Sequence, residues 1–235
     1  MAAQTQKPTG APVADQLATL PSKDATLQGH YVTLVGMSTR YANDLYPLIG
    51  GEQNADLWTY MGDGPYSTLH ALRNGLEAKA TSTDPSFYII LLTRGGGERI
   101  PVGICSLMRI DIRNRVIEIG NLLFSKSLQR TPAATETIFL LLRYAFEDLG
   151  YRRVEWKCDS LNAPSRRAAQ RFGFQFEGVF RQHMIYKGRN RDTAWFSILD
   201  REWEARKKVF EEWLGESNFD EDGRQRKTLE QCRGR

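Results

Sequence analysis

Hydrophobic positions along the chain follow two spacings, one typical of strands and one typical of helices. Residues 115–124 are apolar and rich in β-branched side chains, which predicts a strand. Further on, apolar residues recur at i, i+3, i+4, i+7 and i+11, which predicts an amphipathic helix: Ile138, Leu141, Leu142, Ala145 and Leu149. Gly150 follows the last of them and is a suitable helix terminator. This strand and this helix form the centre of the predicted fold.

Segments of the same two kinds surround this pair. Apolar runs predict further strands at residues 30–35, 86–93, 100–110, 153–158, 174–186 and 193–199. Helical spacing predicts helices at residues 41–48, 69–80, 162–172 and 201–213. Hairpins make most neighbouring strands antiparallel, whereas the strand after Gly150 follows a helical crossover and is expected to be parallel to its predecessor. The chain is therefore predicted to form an α+β fold, with a mixed, mostly antiparallel sheet of about six to seven strands, helices on both faces and one parallel crossover.

The two ends of the chain lack this periodicity. Residues 1–27 are rich in proline, alanine and threonine, and we predict a flexible N-terminal arm. Residues 216–235 are strongly charged and are predicted to be a disordered tail. The remaining residues, 28–215, are predicted to form one domain.

Composition and charge narrow the function only slightly. The 235 residues include 32 Lys and Arg against 28 Asp and Glu, and the net charge of +4 would suit an anionic ligand or an acidic partner. No nucleic-acid-reading module is present, so we predict no nucleic-acid partner. No apolar run approaches the roughly 18 residues that span a bilayer, and the sequence shows no secretory signal, so we expect a cytoplasmic protein without membrane association. The three cysteines lack metal-ligand spacing, which predicts free thiols and no metal site.

The loop between the central strand and the central helix is the first candidate for binding chemistry. A strand, a short basic loop and a helix N-terminus follow one another here. Backbone N–H groups at a helix start, together with the positive end of the helix dipole, bind phosphate groups. Pro132 fits the first helical turn, because an N–H group there would have no intrahelical partner. We therefore expect an anion site in this loop.

Three motifs, in order and at the right intervals, carry a family resemblance. Residues 129–134, Gln-Arg-Thr-Pro-Ala-Ala, are similar to the acyl-CoA loop Gln/Arg-x-x-Gly-x-Gly/Ala. Residues 162–174 match the helix that follows it, as Asn-x-x-Ser-x-x-Ala-x-x-x-Phe-Gly-Phe, and residues 118–120, Glu-Ile-Gly, match the preceding strand. The chain from about residue 30 to residue 200 thus resembles the GCN5-related N-acetyltransferases (GNAT), and among them the group like the bacterial ribosomal-protein N-terminal acetyltransferases.

The resemblance implies the GNAT fold and an acyl-CoA-dependent N-acyltransferase, with acetyl-CoA as the expected cofactor. The acyl group would pass directly to the amine of a small molecule or to a protein N-terminal amine, in a monomer or a homodimer. Pro132 is a departure, since it stands where the family has its central glycine and it offers no N–H group to a pyrophosphate. It favours the alternative, a non-catalytic or repurposed GNAT-like protein that uses the cleft for a biosynthetic-pathway ligand.

Two residues are candidates for proton transfer. An alkyl amine is mostly protonated at neutral pH, so a base must remove a proton before attack. Glu118 is the candidate base, because apolar neighbours in a strand would raise the pKa of its carboxyl group; the alternative is a solvated, outward-facing glutamate. The resemblance implies that Ser165 protonates the departing thiolate; the alternative is an ordinary serine in the first turn of a helix. Cys105 and Cys158 fall in predicted strands away from the loop, so no acyl-enzyme is expected.

The resemblance also supplies the binding residues. Leu123 would present its backbone N–H group to the carbonyl oxygen. The predicted cofactor-binding residues are Leu123, Phe124, Gln129, Arg130, Thr131, Ala133, Ala134, Thr135 and Asn162. The predicted substrate-facing residues are Trp58, Arg181 and His183.

Overall fold

A computed structural model describes residues 7–234 and arranges them around one eight-stranded sheet. The strands are β1 (Leu27–Gln28), β2 (Val32–Gly36), β3 (Ser86–Thr93), β4 (Arg99–Asp111), β5 (Val116–Phe124), β6 (Arg153–Asp159), β7 (Gln175–Tyr186) and β8 (Arg189–Leu199). Their spatial order is β1-β2-β3-β4-β5-β6-β8-β7, and only the β5–β6 pair is parallel. The mostly antiparallel sheet with one parallel crossover is confirmed. The additional strand, β1, is two residues long, too short to give an alternating pattern.

Helices cover both faces of the sheet, as the sequence predicts. They are α1 (Ala42–Ile49), α2 (Leu69–Thr81), α3 (Pro132–Arg143), α4 (Ala163–Arg171), α5 (Asp200–Leu214) and α6 (Leu229–Cys232). Alternate residues of β3 enter two separate hydrophobic cores, because successive side chains of a strand point to opposite faces. Tyr88 and Ile90 join the core beneath α3 and α5, whereas Ile89 and Leu91 join the core beneath α1 and α2. None of the helices in residues 7–234 has the length and apolar character needed to cross a membrane.

The parallel pair β5–β6 separates partway along its length. Its register joins Val116–Glu118 to Arg153–Glu155 and extends no further. On the other side of β5, the register with β4 shifts between Gly120 and Leu123, where Asn121 has a φ of 49°. The Asn121 side chain donates to Ser106 Oγ at 3.0 Å and holds this bulge in place. A cleft therefore opens between the two strands just beyond Glu118.

A buried glutamate attaches helix α3 to the start of the sheet. Glu136 accepts hydrogen bonds from the backbone N–H groups of His30, Tyr31 and Val32 at 2.8, 2.7 and 2.8 Å. Gly29 leaves room for this carboxylate, since a Cβ atom there would lie 2.4 Å from it. The start of α3 is therefore fixed relative to β2 by a contact across 104 residues of chain.

The predicted N-terminal arm lies partly against the sheet. Its residues 1–6 lie outside the described residues. Ala18 is buried, and its N–H group donates to the carbonyl of Ile112 at 3.0 Å, while Thr19 N–H donates to the carbonyl of Leu149 at 2.8 Å. These contacts fix residues 18 and 19, and the flexibility of the arm as a whole stays a prediction.

The structure corrects the predicted disorder of residues 216–235 over its described part, which ends at residue 234. Leu229 of α6 is buried, and the Asn218 side chain donates to the carbonyl of Trp213 at 2.9 Å. Phe219 stacks edge-on against Trp213 at 5.4 Å. A few apolar anchors thus hold a segment whose overall charge suggests disorder.

Candidate active site

The cleft between β5 and β6 has a volume of about 1500 Å³ and contains most of the site residues predicted from the sequence. The N-terminus of α3 lines part of it. The predicted residues that line it are Glu118, Leu123, Phe124, Gln129, Arg130, Thr131, Ala134, Thr135, Asn162, Ser165 and His183. The motifs that lie far apart in the sequence therefore meet at one place.

The start of α3 keeps unused hydrogen-bond donors. Thr131 is the N-cap, and its Oγ1 accepts from the N–H group of Ala134 at 3.2 Å. Pro132 occupies the first helical position and has no N–H group. The N–H group of Ala133, the next residue, has no partner within the helix and remains available to a ligand. Arg130 has a φ of 62°, which turns the loop into the helix. The loop thus fits a phosphate, with fewer amides than a glycine at position 132 would give.

Basic and aromatic side chains extend this end of the cleft. Arg171 donates to Thr135 Oγ1 at 3.1 Å, and its guanidinium lies 5.0 Å from the ring centre of Trp213. Residues of the C-terminal segment complete the wall: Phe219, Gly223, Gln225 and Arg233. The sequence prediction missed this wall because it treated the segment as disordered.

Glu118 lies deep in the cleft and is 4% exposed. Its Oε2 atom is 3.1 Å from Lys157 Nζ and 3.0 Å from Arg109 Nε. Burial raises the pKa of the Glu118 carboxyl group, and the charges of Lys157 and Arg109 oppose part of that rise. Glu118 is therefore a buried carboxyl group with an elevated pKa, as a base for amines requires.

Lys157 links Glu118 to a second buried carboxylate. The Lys157 side chain is almost fully buried, and its Nζ lies 2.6 Å from Glu155 Oε2. The same ammonium group lies 3.9 Å from the centre of the Trp195 ring. The sequence prediction missed Lys157. The alternation of residues along β6 shows which face Lys157 occupies, but it does not show that Glu118 of β5 lies beside it.

Ser165 is both a helix residue and a cleft residue. Its N–H group donates to Asn162 Oδ1 at 3.1 Å, which caps α4, and its Oγ accepts from Trp156 Nε1 at 3.0 Å. Cys158 also lines the cleft, which corrects the expectation that it lies away from the loop. Burial raises the pKa of the Cys158 thiol, so a nucleophilic thiolate is disfavoured.

Two predicted substrate-facing residues lie outside the cleft. Trp58 is 1% exposed, belongs to the core beneath α1 and α2, and donates from Nε1 to the carbonyl of Ile49 at 2.7 Å. The aromatic that lines the cleft in this segment is Tyr60. Arg181 lines a separate depression. The side chain of Ala133 is buried in the core beneath α3, so only its backbone N–H group is available at the helix start. Periodicity does not show which aromatic of a turn-rich segment points inward.

His183 lies at the edge of the cleft, with Nδ1 2.9 Å from Thr193 Oγ1. Burial lowers the pKa of His183, and the nearby charges of Arg109, Arg191 and Lys157 lower it further. Within the part of the chain that the structure describes, no group of three or more His, Cys, Asp or Glu residues could hold a metal ion.

Comparison with known proteins identifies the family. The model of a domain described as Acetyltransferase (GNAT) domain matches residues 32–175, well over half of the chain. The chain belongs to the GNAT family. A GCN5-related N-acetyltransferase from Brucella melitensis, known from its crystal structure, is 42% identical, with 94% of this chain and 98% of that chain aligned and a TM-score of 0.89.

Two curated relatives cover a shorter stretch. YdaF of Bacillus subtilis, named as a proposed ribosomal N-acetyltransferase, is 35% identical over 105 residues, 45% of this GNAT chain and 57% of YdaF. The protein p20 of Bacillus licheniformis, named as an uncharacterized N-acetyltransferase, is 34% identical over 102 residues, 43% of this chain and 57% of p20. The chain thus spans just over half the length of the curated relatives it matches.

Proposed function

We propose that the protein catalyses transfer of an acetyl group from acetyl-CoA directly to an amine. One observation carries the proposal: a buried carboxyl group of raised pKa, Glu118, shares a single cleft with an anion-binding helix N-terminus. Acetyl-CoA supplies an activated thioester when bound. In the transfer, the amine nitrogen forms a bond to the acetyl carbon, the carbon–sulfur bond breaks, and the amine loses a proton.

The residues around the α3 N-terminus fit the phosphate groups of CoA. The free amide of Ala133, the loop residue Arg130 and the N-cap Thr131 would hold the pyrophosphate. Leu123 and Phe124 would lie along the pantetheine arm, and the Leu123 N–H group would donate to the acetyl carbonyl oxygen. The resemblance to the family supports these assignments.

Glu118 and Ser165 would move the protons. The elevated pKa of Glu118 brings the carboxylate closer in basicity to an amine, so it accepts the proton that the attacking nitrogen loses. The Ser165 hydroxyl, oriented by Trp156 Nε1, would donate a proton to the departing sulfur. Because a thiolate is a good leaving group near neutral pH, the contribution of Ser165 is the smaller one.

Binding of acetyl-CoA is the first test. At 100 times its dissociation constant, the cofactor should raise the free energy of unfolding by about 2.7 kcal/mol. Arg130→Ala should weaken binding by about tenfold, because it removes a charged contact to a phosphate. The matched control is Arg189→Ala, an exposed arginine at the tip of the β7–β8 hairpin, which should bind like the wild type.

The alternative function is a GNAT-fold protein that uses the cleft for another ligand. Pro132, which removes one amide from the anion site, is the observation that favours it. Calorimetry that shows no binding of acetyl-CoA or CoA to the folded protein would support this alternative and overturn the transferase proposal.

Lys157→Met should move the pH dependence of activity. Lys157 lowers the pKa of Glu118, so its removal raises that pKa further. Activity follows the deprotonated form of Glu118, and its rise with pH should therefore shift to higher pH. The measurement is kcat/KM between pH 5 and pH 9, and an unchanged or lowered midpoint would contradict the pairing. Lys208→Met, at an exposed lysine of α5, is the control.

A further inference from the structure

Arg191, an arginine of β8, lies in the cleft on the same sheet face as Glu118. Along β8, Ala194 and Phe196 enter the core beneath α3, so Arg191 points to the opposite face by strand alternation. Glu118 also points away from the α3 core, which takes its neighbours Ile117 and Ile119. Both residues line the cleft. Arg191 therefore faces the space from which an amine would approach Glu118.

The Arg191 side chain forms neither an ion pair nor a hydrogen bond with any residue between positions 7 and 234. Its Nε atom is buried and has no hydrogen-bond partner among the residues that the structure describes. Its guanidinium lies 5.5 Å from the ring centre of Tyr186, which holds it against the wall of the cleft. Such a buried donor is unfavourable, and an anion bound against the rest of the guanidinium would offset part of that cost electrostatically. The planar guanidinium is suited to a carboxylate or phosphate, which it binds through two parallel hydrogen bonds.

Charged groups of both signs lie around Arg191, and each nearby carboxylate has other partners. Arg109, Lys157 and Arg191 lie close enough to His183 to lower its pKa together. The Glu118 carboxylate forms ion pairs with Arg109 and Lys157. The carboxylate of Asp159 accepts from Tyr186 Oη at 3.2 Å and from the N–H group of Leu161 at 2.9 Å. Three carboxylates, those of Glu118, Glu155 and Asp159, thus lie near the three cations. Within residues 7–234, none of these carboxylates forms an ion pair with Arg191.

Two contacts join the segment before α2 to the loop before α4 and to the β7–β8 hairpin. Tyr60 Oη donates to the carbonyl of Leu161 at 3.2 Å. Lys187 Nζ donates to the carbonyl of Trp58 at 2.9 Å, which joins the tip of the β7–β8 hairpin to the segment before α2. Segments joined beside the cleft in this way favour a compact acceptor over an extended polypeptide.

We propose that the acceptor is a small primary amine that also carries a carboxylate or phosphate group, and that Arg191 binds this anionic group. The inference rests on the proposed function and specifies the substrate class of the same cleft. Arg191 holds the anion while the amine is directed toward Glu118. Arg191 is thus a specificity-determining residue, and acetyl-CoA binds elsewhere in the cleft.

Matched pairs of amines test the assignment. The probes are glycine and glycinamide, β-alanine and β-alaninamide, and phosphoethanolamine and ethanolamine, each assayed with acetyl-CoA for release of the free thiol. Wild type should prefer at least one anionic member over its neutral partner by about 10- to 100-fold in kcat/KM. The third pair distinguishes a phosphate from a carboxylate.

Variants locate the preference at position 191. Arg191→Gln should abolish the preference for anionic amines and raise KM for the anionic amine, while KM for acetyl-CoA stays unchanged. Arg191→Lys should keep part of the preference. Arg189→Gln removes the same charge two residues away, from an exposed position on β8, and should behave like the wild type. Thermal unfolding of each variant shows whether the fold is intact, and Arg191→Lys tests the anion contact if Arg191→Gln is unstable.

Several outcomes would overturn the assignment. In the first, the wild type binds acetyl-CoA and acetylates neutral amines or a peptide amine with the same kcat/KM as the anionic probes. In the second, the wild type binds acetyl-CoA and acetylates none of the anionic probes. An equal loss of both classes in Arg191→Gln would also overturn it. In each of these cases the cofactor still binds, whereas failure of the proposed function itself appears as absence of acetyl-CoA binding.

Discussion

Glu118→Gln is expected to lower kcat/KM for acetyl transfer by about 10²- to 10⁴-fold, the usual contribution of a general base. The glutamine keeps the size of the side chain but cannot accept the proton of the amine. Glu118 lies apart from the α3 N-terminus, so binding of acetyl-CoA should stay unchanged. The expected loss is therefore in the reaction rather than in the cofactor complex.

The pH profile distinguishes a base from a structural carboxylate. Burial raises the pKa of Glu118, so wild-type activity should rise with pH through a midpoint above that of an ordinary glutamate. In Glu118→Gln, this rise of activity with pH should disappear. Glu204→Gln, in an exposed ion pair of α5, is the control and should retain both the wild-type kcat/KM and its rise with pH. A variant at position 118 with more than half of wild-type activity would contradict the assigned role.

Glu136→Ala is expected to lower the free energy of unfolding by about 3–5 kcal/mol, because it removes a charged acceptor from a buried site. Three backbone N–H groups, at His30, Tyr31 and Val32, would lose their acceptor together. The alanine also leaves a space that the neighbouring chain cannot fill without moving. Urea unfolding monitored by circular dichroism measures the difference.

The control for this prediction is again an exposed glutamate. Glu204→Ala removes one partner of a solvent-exposed pair and should change stability by less than about 0.5 kcal/mol. Glu136→Gln keeps one carbonyl acceptor and should fall between the two. A loss below about 1 kcal/mol in Glu136→Ala would show that the amides find other partners, so Glu136 would not be what fixes α3 to β2.

Local patterns in the sequence were sufficient for much of the fold and part of the site. Strand alternation predicts that Glu118 points away from Ile117 and Ile119, and the structure shows those two isoleucines in the core. The spacing of apolar residues after Pro132 predicts helix α3, and a cap at its start requires only adjacent residues. These features depend on near neighbours in the chain.

Features that depend on distant partners were not predictable in the same way. Lys157 and Arg191 acquire their surroundings only when β6 and β8 pair, and Glu136 finds its amides more than a hundred residues away. The C-terminal segment looks disordered by composition, yet Leu229 is buried. Trp58 occupies a core that no local period reveals. In each case the sequence gives the residue and the fold supplies the partner.

The most direct test of the central claim is amine-dependent release of CoA thiol from acetyl-CoA, with the acetylated amine identified by mass spectrometry. The wild type should release one thiol for each acetylated amine, and Glu118→Gln should release almost none while still binding acetyl-CoA. If the wild type binds acetyl-CoA but no amine among the charged and neutral probes accelerates thiol release or gains an acetyl group, the cleft is not that of an N-acetyltransferase for small amines.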